Sequence, residues 1–106
     1  MLSLKFATVD EICRELGSRL KAIRLAHSLL QTDLAVRAGV SAGTVKKLEN
    51  SGQSTTHSLI RIVQALGRED ELQNIFVLQA RTIADMERNE AASRRRASRP
   101  RKAQVK

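Results

Sequence analysis

Residues 29–50 read LLQTDLAVRAGVSAGTVKKLEN, and this stretch decides the fold. Gln31 to Ala38 has the pattern of a short helix, with Leu34, Ala35 and Ala38 on one inward face. Gly39 stands where such a helix ends in a left-handed residue, a conformation that penalises any Cβ. Val40 then points into the core, and Ser41 is suited to cap a following helix through its hydroxyl. That helix, Ala42 to about Glu49, buries Val45 and Leu48, and small Ala35 lets the two helices approach closely. The unit holds its second helix rigidly at the surface, N-terminus outward.

Outward from this unit, Thr8-Val9-Asp10-Glu11 fits a capping box that opens a first helix. Ile12, Leu16, Leu20 and Ile23 recur at spacings of four and three, predicting one apolar stripe that ends near His27. Before it, Leu2, Leu4 and Phe6 alternate with Ser3 and Lys5, the period of a short strand or extended arm. Beyond the polar loop at residues 50–54, Thr55 can cap a fourth helix carrying Leu59, Ile62, Val63 and Leu66, closed by Gly67. A fifth helix is expected from Glu69, with Glu69, Asp70 and Glu71 at the positive end of its dipole and Leu72, Ile75 and Phe76 on its apolar face. Residues 79–92 are compatible with a further helical stretch.

Composition agrees with a small helical protein. The chain has 106 residues, 42% of them hydrophobic, with two phenylalanines as the only aromatics, so the core must be aliphatic. One proline and five glycines favour helices with short connections. The net charge of +8 is unevenly placed: residues 94–106 hold seven basic side chains and no acidic one. Residues 1–93 keep twelve basic and eleven acidic residues, a balance of +1. Seven like charges beside the only proline, Pro100, predict a disordered basic tail.

Enzymatic chemistry finds no support. Single Cys13 has no evident activating base, His27 and His57 stand far apart, and no glycine-rich phosphate loop or HExxH-like metal site occurs. No cofactor, metal or catalytic residue is expected. Nor is a membrane span, and the N-terminus lacks the order of a signal peptide, so the cytoplasm, alongside the nucleoid, is the expected location.

Residues 16–66 resemble the Cro/repressor-type (XRE) helix-turn-helix family. The resemblance lies in the order and spacing of Gln31, Leu34-Ala35, Ala38-Gly39-Val40-Ser41, Thr44-Val45, Leu48-Glu49-Asn50 and Ala65-Leu66-Gly67. It implies an all-α fold, a compact five-helix repressor-like DNA-binding domain with a flexible basic C-terminal tail. The divisions are an N-terminal arm (1–9), the helix-turn-helix domain (10–78), a helical extension (79–93) and the tail (94–106). By position, Gln31 and Asn50 would meet phosphates, and Ser41, Ala42, Gly43, Thr44, Lys46 and Lys47 would face the major groove. Arg24 and Glu49 would form a partly buried ion pair. Ala42 and Gly43 offer no side-chain donors, so direct base readout would rest mainly on Lys47. Leu30 departs from the family's usual Ser or Thr cap, at a cost of about 1 kcal/mol unless Thr32 or Asp33 compensates.

The resemblance further implies a homodimer on a palindromic double-stranded operator. Leu72, Ile75, Phe76 and Leu78 are candidates for that interface, or else complete the monomer core. Arg94, Arg95, Arg96, Arg99 and Arg101 could engage DNA phosphates, a minor groove or an acidic protein partner. The tail also resembles that of HipB-like regulators, which would make the chain the autoregulating repressor of a toxin–antitoxin operon. The alternative is an antitoxin that chiefly restrains a HipA-like kinase toxin.

Overall fold

The computed structural model describes residues 3–78 and 83–98. It is all-α among those residues, with five α-helices: α1 (Val9–Ala26), α2 (Gln31–Ala38), α3 (Ala42–Ser51), α4 (Thr56–Ala65) and α5 (Ile83–Ser98). Short 3-10 turns stand at Leu4–Phe6 and Glu69–Leu72. The chain divides into two units, Met1–Ile75 and Phe76–Lys106. No helix among the described residues is long and apolar enough to cross a membrane.

Local chemistry sets the helix ends of the first unit. Thr8 Oγ1 accepts from Glu11 N–H at 3.1 Å while the Glu11 carboxylate accepts from Thr8 N–H at 2.9 Å. Ser41 and Thr55 cap α3 and α4, accepting from Thr44 N–H and Ser58 N–H, both at 3.0 Å. Gly39 adopts φ +71° beyond α2. Leu30 supplies no side-chain cap to α2. Asp33 partly compensates, its carboxylate accepting from Leu30 N–H at 2.9 Å.

The core lies where α1, α2, α3 and α4 meet. Leu29, Leu34, Ala35, Ala38, Val45, Leu48, Ile62 and Leu66 form its buried cluster, with Leu20, Ile23, Val40, Leu59 and Ala65 packed around it. Leu34, Val45 and Ile62 are essentially inaccessible to solvent.

Four expectations are corrected. Leu4–Phe6 is a 3-10 turn closed by Ala7 N–H on Leu4 O at 3.3 Å, not a strand or extended arm. With no strand to pair with among the described residues, a lone extended segment gains nothing from alternation, and local bonds form instead. The α1 stripe holds at Leu20 and Ile23, which pack against the core, and at part-buried Ile12, but Leu16 is 43% exposed while Gly17 and Arg24 are buried. The contact with α3 uses Gly17 and Arg24, residue types that hydropathy does not select.

The helix expected from Glu69 is instead a four-residue 3-10 turn running into turns, with Phe76 left-handed at φ 59°. A non-glycine residue in that conformation ends any helix. Leu72, Ile75, Phe76 and Leu78 therefore share no helical face, and Phe76 is 99% exposed. Finally, Arg94, Arg95 and Arg96 belong to α5 rather than to a disordered tail. Alanine and arginine are strong helix formers, cations are favoured near a helix C-terminus, and Arg94 lies 3.7 Å from Glu90 one turn earlier. Arg99 and Arg101 lie outside the described residues.

Candidate functional site

The second helix of the central pair, α3, is anchored on one side and bare on the other. Val45, Leu48 and Glu49 are buried, while Ala42, Gly43, Lys46, Lys47 and Asn50 are exposed. At 100° per residue the exposed set spans one continuous arc, and Thr44, half-buried, borders it. Ser41 and Thr44 are engaged with each other, their hydroxyls 2.8 Å apart, in addition to the cap. Their oxygens thus serve the start of α3 first. Among the described residues neither the Lys46 nor the Lys47 ammonium has an ion-pair partner, so both present uncompensated positive charge.

A buried ionic cluster fixes the orientation of α3. Arg24 on α1 grips Glu49 bidentately, Nε to Oε2 at 2.6 Å and Nη2 to Oε1 at 3.0 Å. Its Nη1 donates to Leu29 O at 2.7 Å, fastening the connection between α1 and α2. Both side chains are nearly inaccessible, 7% and 2% exposed. The hydrogen bond to Glu49 raises the Arg24 pKa above its ordinary value, against the opposing effect of burial and with the added pull of the Glu49 charge. The geometry is of the kind a buried pair requires, since bidentate bonds offset part of the desolvation.

Gln31, which opens α2, joins the same cluster: its Nε2 donates to Glu49 Oε1 at 3.0 Å. An amide nitrogen carries two hydrogens, so one remains for an outside acceptor such as a phosphate oxygen. The orientation of that amide is held by the carboxylate that also holds Arg24. The start of α2 and the body of α3 are therefore set relative to each other by one polar knot.

Two glycines bring α1 and α3 together. A Cβ on Gly17 would fall 2.1 Å from Leu48 O, and one on Gly52 would fall 1.9 Å from Cys13 O. Neither contact was anticipated from the residues, although a lone glycine within a helical pattern such as that around Gly17 is a recognised sign of close packing. Arg61 on α4 was also passed over. Its Nε donates to Ala38 O at 2.9 Å, beside the turn. In the second unit, Arg94, Arg95 and Arg96 are exposed along α5.

The arrangement presents one helix with a bare, cationic outer arc, two or three turns long, on a rigid aliphatic base. Such a surface can enter a groove of a polyanion, with polar side chains at Gln31 and Asn50 on either side. A family model described as a helix-turn-helix domain matches residues 15–74, which covers α1 from Glu15 onward through the 3-10 turn after α4. No curated protein matches the chain at a significant level.

Proposed function

Because the chain belongs to the helix-turn-helix domain family, we propose that it is a sequence-specific transcriptional regulator that reads duplex DNA with the outer arc of α3. The observation that carries this reading is the combination of the Arg24–Glu49–Gln31 knot with unpaired Lys46 and Lys47. A solvent face needs no such buried ionic support, whereas a helix that must sit in a groove to within a fraction of an ångström does. Gln31 and Asn50 would donate to phosphates and set the register. Lys47 would be the principal reader of guanine edges, with Lys46 and Thr44 nearer the backbone and Ala42 able to touch a thymine methyl. Gly43 leaves the backbone free to approach closely.

Two or three readers per chain give modest discrimination, so we infer a homodimer that reads a palindrome with half-sites about 34 Å apart. The arginines of α5 and the basic residues beyond it would add phosphate affinity that falls with salt. The narrower role, repressor of an operon shared with a HipA-like kinase, is supported by the arginine-rich tail pattern alone. Selection from a randomised duplex pool by the full chain tests the reading. Recovery of an inverted repeat supports it; a pool that stays unenriched, with binding uniform across sequences, refutes specific regulation.

A further inference from the structure

Arg61 lies on α4 and reaches back to the end of α2, at the turn between α2 and α3. Its Nε–H donates to the carbonyl of Ala38 at 2.9 Å, across 23 residues of sequence. Ala38 is the last residue of α2, and the position that would donate to its carbonyl, Ala42, already begins α3. Two earlier carbonyls are closed by the turn itself: Gly39 N–H bonds Val36 O at 3.2 Å and Val40 N–H bonds Ala35 O at 3.0 Å. Arg61 thus supplies the donor that the turn lacks. The guanidinium also lies over Gly39, where an added Cβ would come 2.7 Å from Nη2. The glycine both permits φ +71° and leaves room for the arginine.

We propose that Arg61 is a positioning residue for the reading helix: through Nε it ties the end of α2 to α4 and sets the direction in which α3 leaves the turn. The inference rests on the DNA-binding reading above. The three turn residues Gly39, Val40 and Ser41 are the only covalent path from α2 to α3, so a loosened Ala38 carbonyl loosens the start of the groove-facing arc. Binding constellations tolerate misplacements of only about 0.5 Å.

The competing role is a direct phosphate contact by the exposed guanidinium, and side-chain chemistry separates the two. Glutamine carries its amide nitrogen the same number of bonds from Cα as arginine Nε, without the charge. Lysine keeps the charge but puts a methylene where Nε stood. Positioning through Nε requires Arg61→Gln to stay within about twofold of wild-type affinity while Arg61→Lys and Arg61→Ala lose about fivefold, the range of one hydrogen bond. A phosphate contact requires the reverse: lysine retained, glutamine lost, and the salt slope reduced by about one.

The test measures anisotropy of the full chain on the labelled duplex recovered from the selection, at several salt concentrations. It is paired with amide hydrogen exchange of the same variants without DNA. Exchange at Gly39 and Val40 should rise about fivefold in Arg61→Lys and Arg61→Ala but not in Arg61→Gln, with each variant's thermal melt near wild type. Affinities ordered by charge, or exchange at Gly39 and Val40 unchanged in Arg61→Ala, overturn the proposal. A wild-type chain that recovers no duplex overturns the reading of function instead, and the exchange data still decide whether Arg61 holds the turn.

Discussion

Replacing Arg24 by alanine should destabilise the first unit far more than any other single loss of a positive charge on its surface. In the native state Arg24 satisfies both oxygens of Glu49 and the carbonyl of Leu29. Truncation leaves the Glu49 carboxylate, 2% exposed, with only the Gln31 amide. Breaking a buried pair by removing one partner costs about 3–5 kcal/mol, because the remaining charge is uncompensated. A unit spanning Met1–Ile75 has a total stability of roughly 4–11 kcal/mol. The variant should therefore lose about a quarter of it or more, lowering Tm by on the order of 20 °C. Arg19→Ala is the control. Its bond to Glu15 is as orthodox, 2.9 Å at i,i+4, but the side chains are 39% and 28% exposed. Such a pair contributes about 0.3–0.5 kcal/mol, so Tm should fall by only a few degrees. Thermal melts followed by helical circular dichroism compare the two. Equal, small losses would refute the argument. The double replacement Arg24→Met with Glu49→Leu adds a second check, since an apolar pair of similar volume is neutral or stabilising against a buried ion pair. Stability should recover while DNA affinity does not, because Gln31 loses its acceptor.

Other consequences are equally specific. Gly17→Ala should destabilise by about 1–3 kcal/mol despite alanine's better helix propensity, because its Cβ meets the Leu48 carbonyl at 2.1 Å. Gly43→Ala, whose Cβ would meet nothing nearer than Ser41 Oγ at 3.8 Å, should instead stabilise by up to about 1 kcal/mol in urea unfolding. Leu30 already has the extended conformation of an N-cap, φ −77° and ψ 160°, and is 66% exposed. Leu30→Ser should therefore raise stability by about 1 kcal/mol, and an unchanged denaturation midpoint would contradict the cap argument. Lys47→Ala should weaken binding of a selected duplex by about 1–3 kcal/mol and relax the preference at one base pair, read by competition against single-base variants of the site.

What was legible in the residues was the part governed by near neighbours. Thr8 with Glu11, Gly39 with Ser41, and Thr55 each act within one turn of the chain, so their types at those spacings determine their roles. The inward faces of α2 and α3 were readable for a related reason: Leu34, Ala35, Ala38, Val45 and Leu48 are apolar, and periodicity finds apolar residues. The face of α1 was legible only in part: Leu20 and Ile23 pack inward as their spacing predicts, but a glycine and an arginine, which hydropathy does not count as core, are buried while Leu16 is exposed. At Glu69 a favourable acidic start and apolar spacing suggested a helix. Only Leu72 is part-buried there, Ile75 is 45% exposed, and the chain turns at Phe76. The bond from Arg61 to Ala38 spans two helices, and no local pattern announces it. The Arg24–Glu49 pairing was reached by resemblance, since no spacing rule joins residues 25 apart.

The central claim is that the outer arc of α3, supported by Gln31 and Asn50, is the surface that meets DNA. Backbone amide chemical shifts of the full chain, followed while a selected duplex is added, test it most directly. The account predicts that the largest changes fall on Gln31, on Ser41 to Lys47 and on Asn50, with smaller, salt-sensitive changes along α5. Changes confined to α5, with α3 unmoved at saturation, would contradict it.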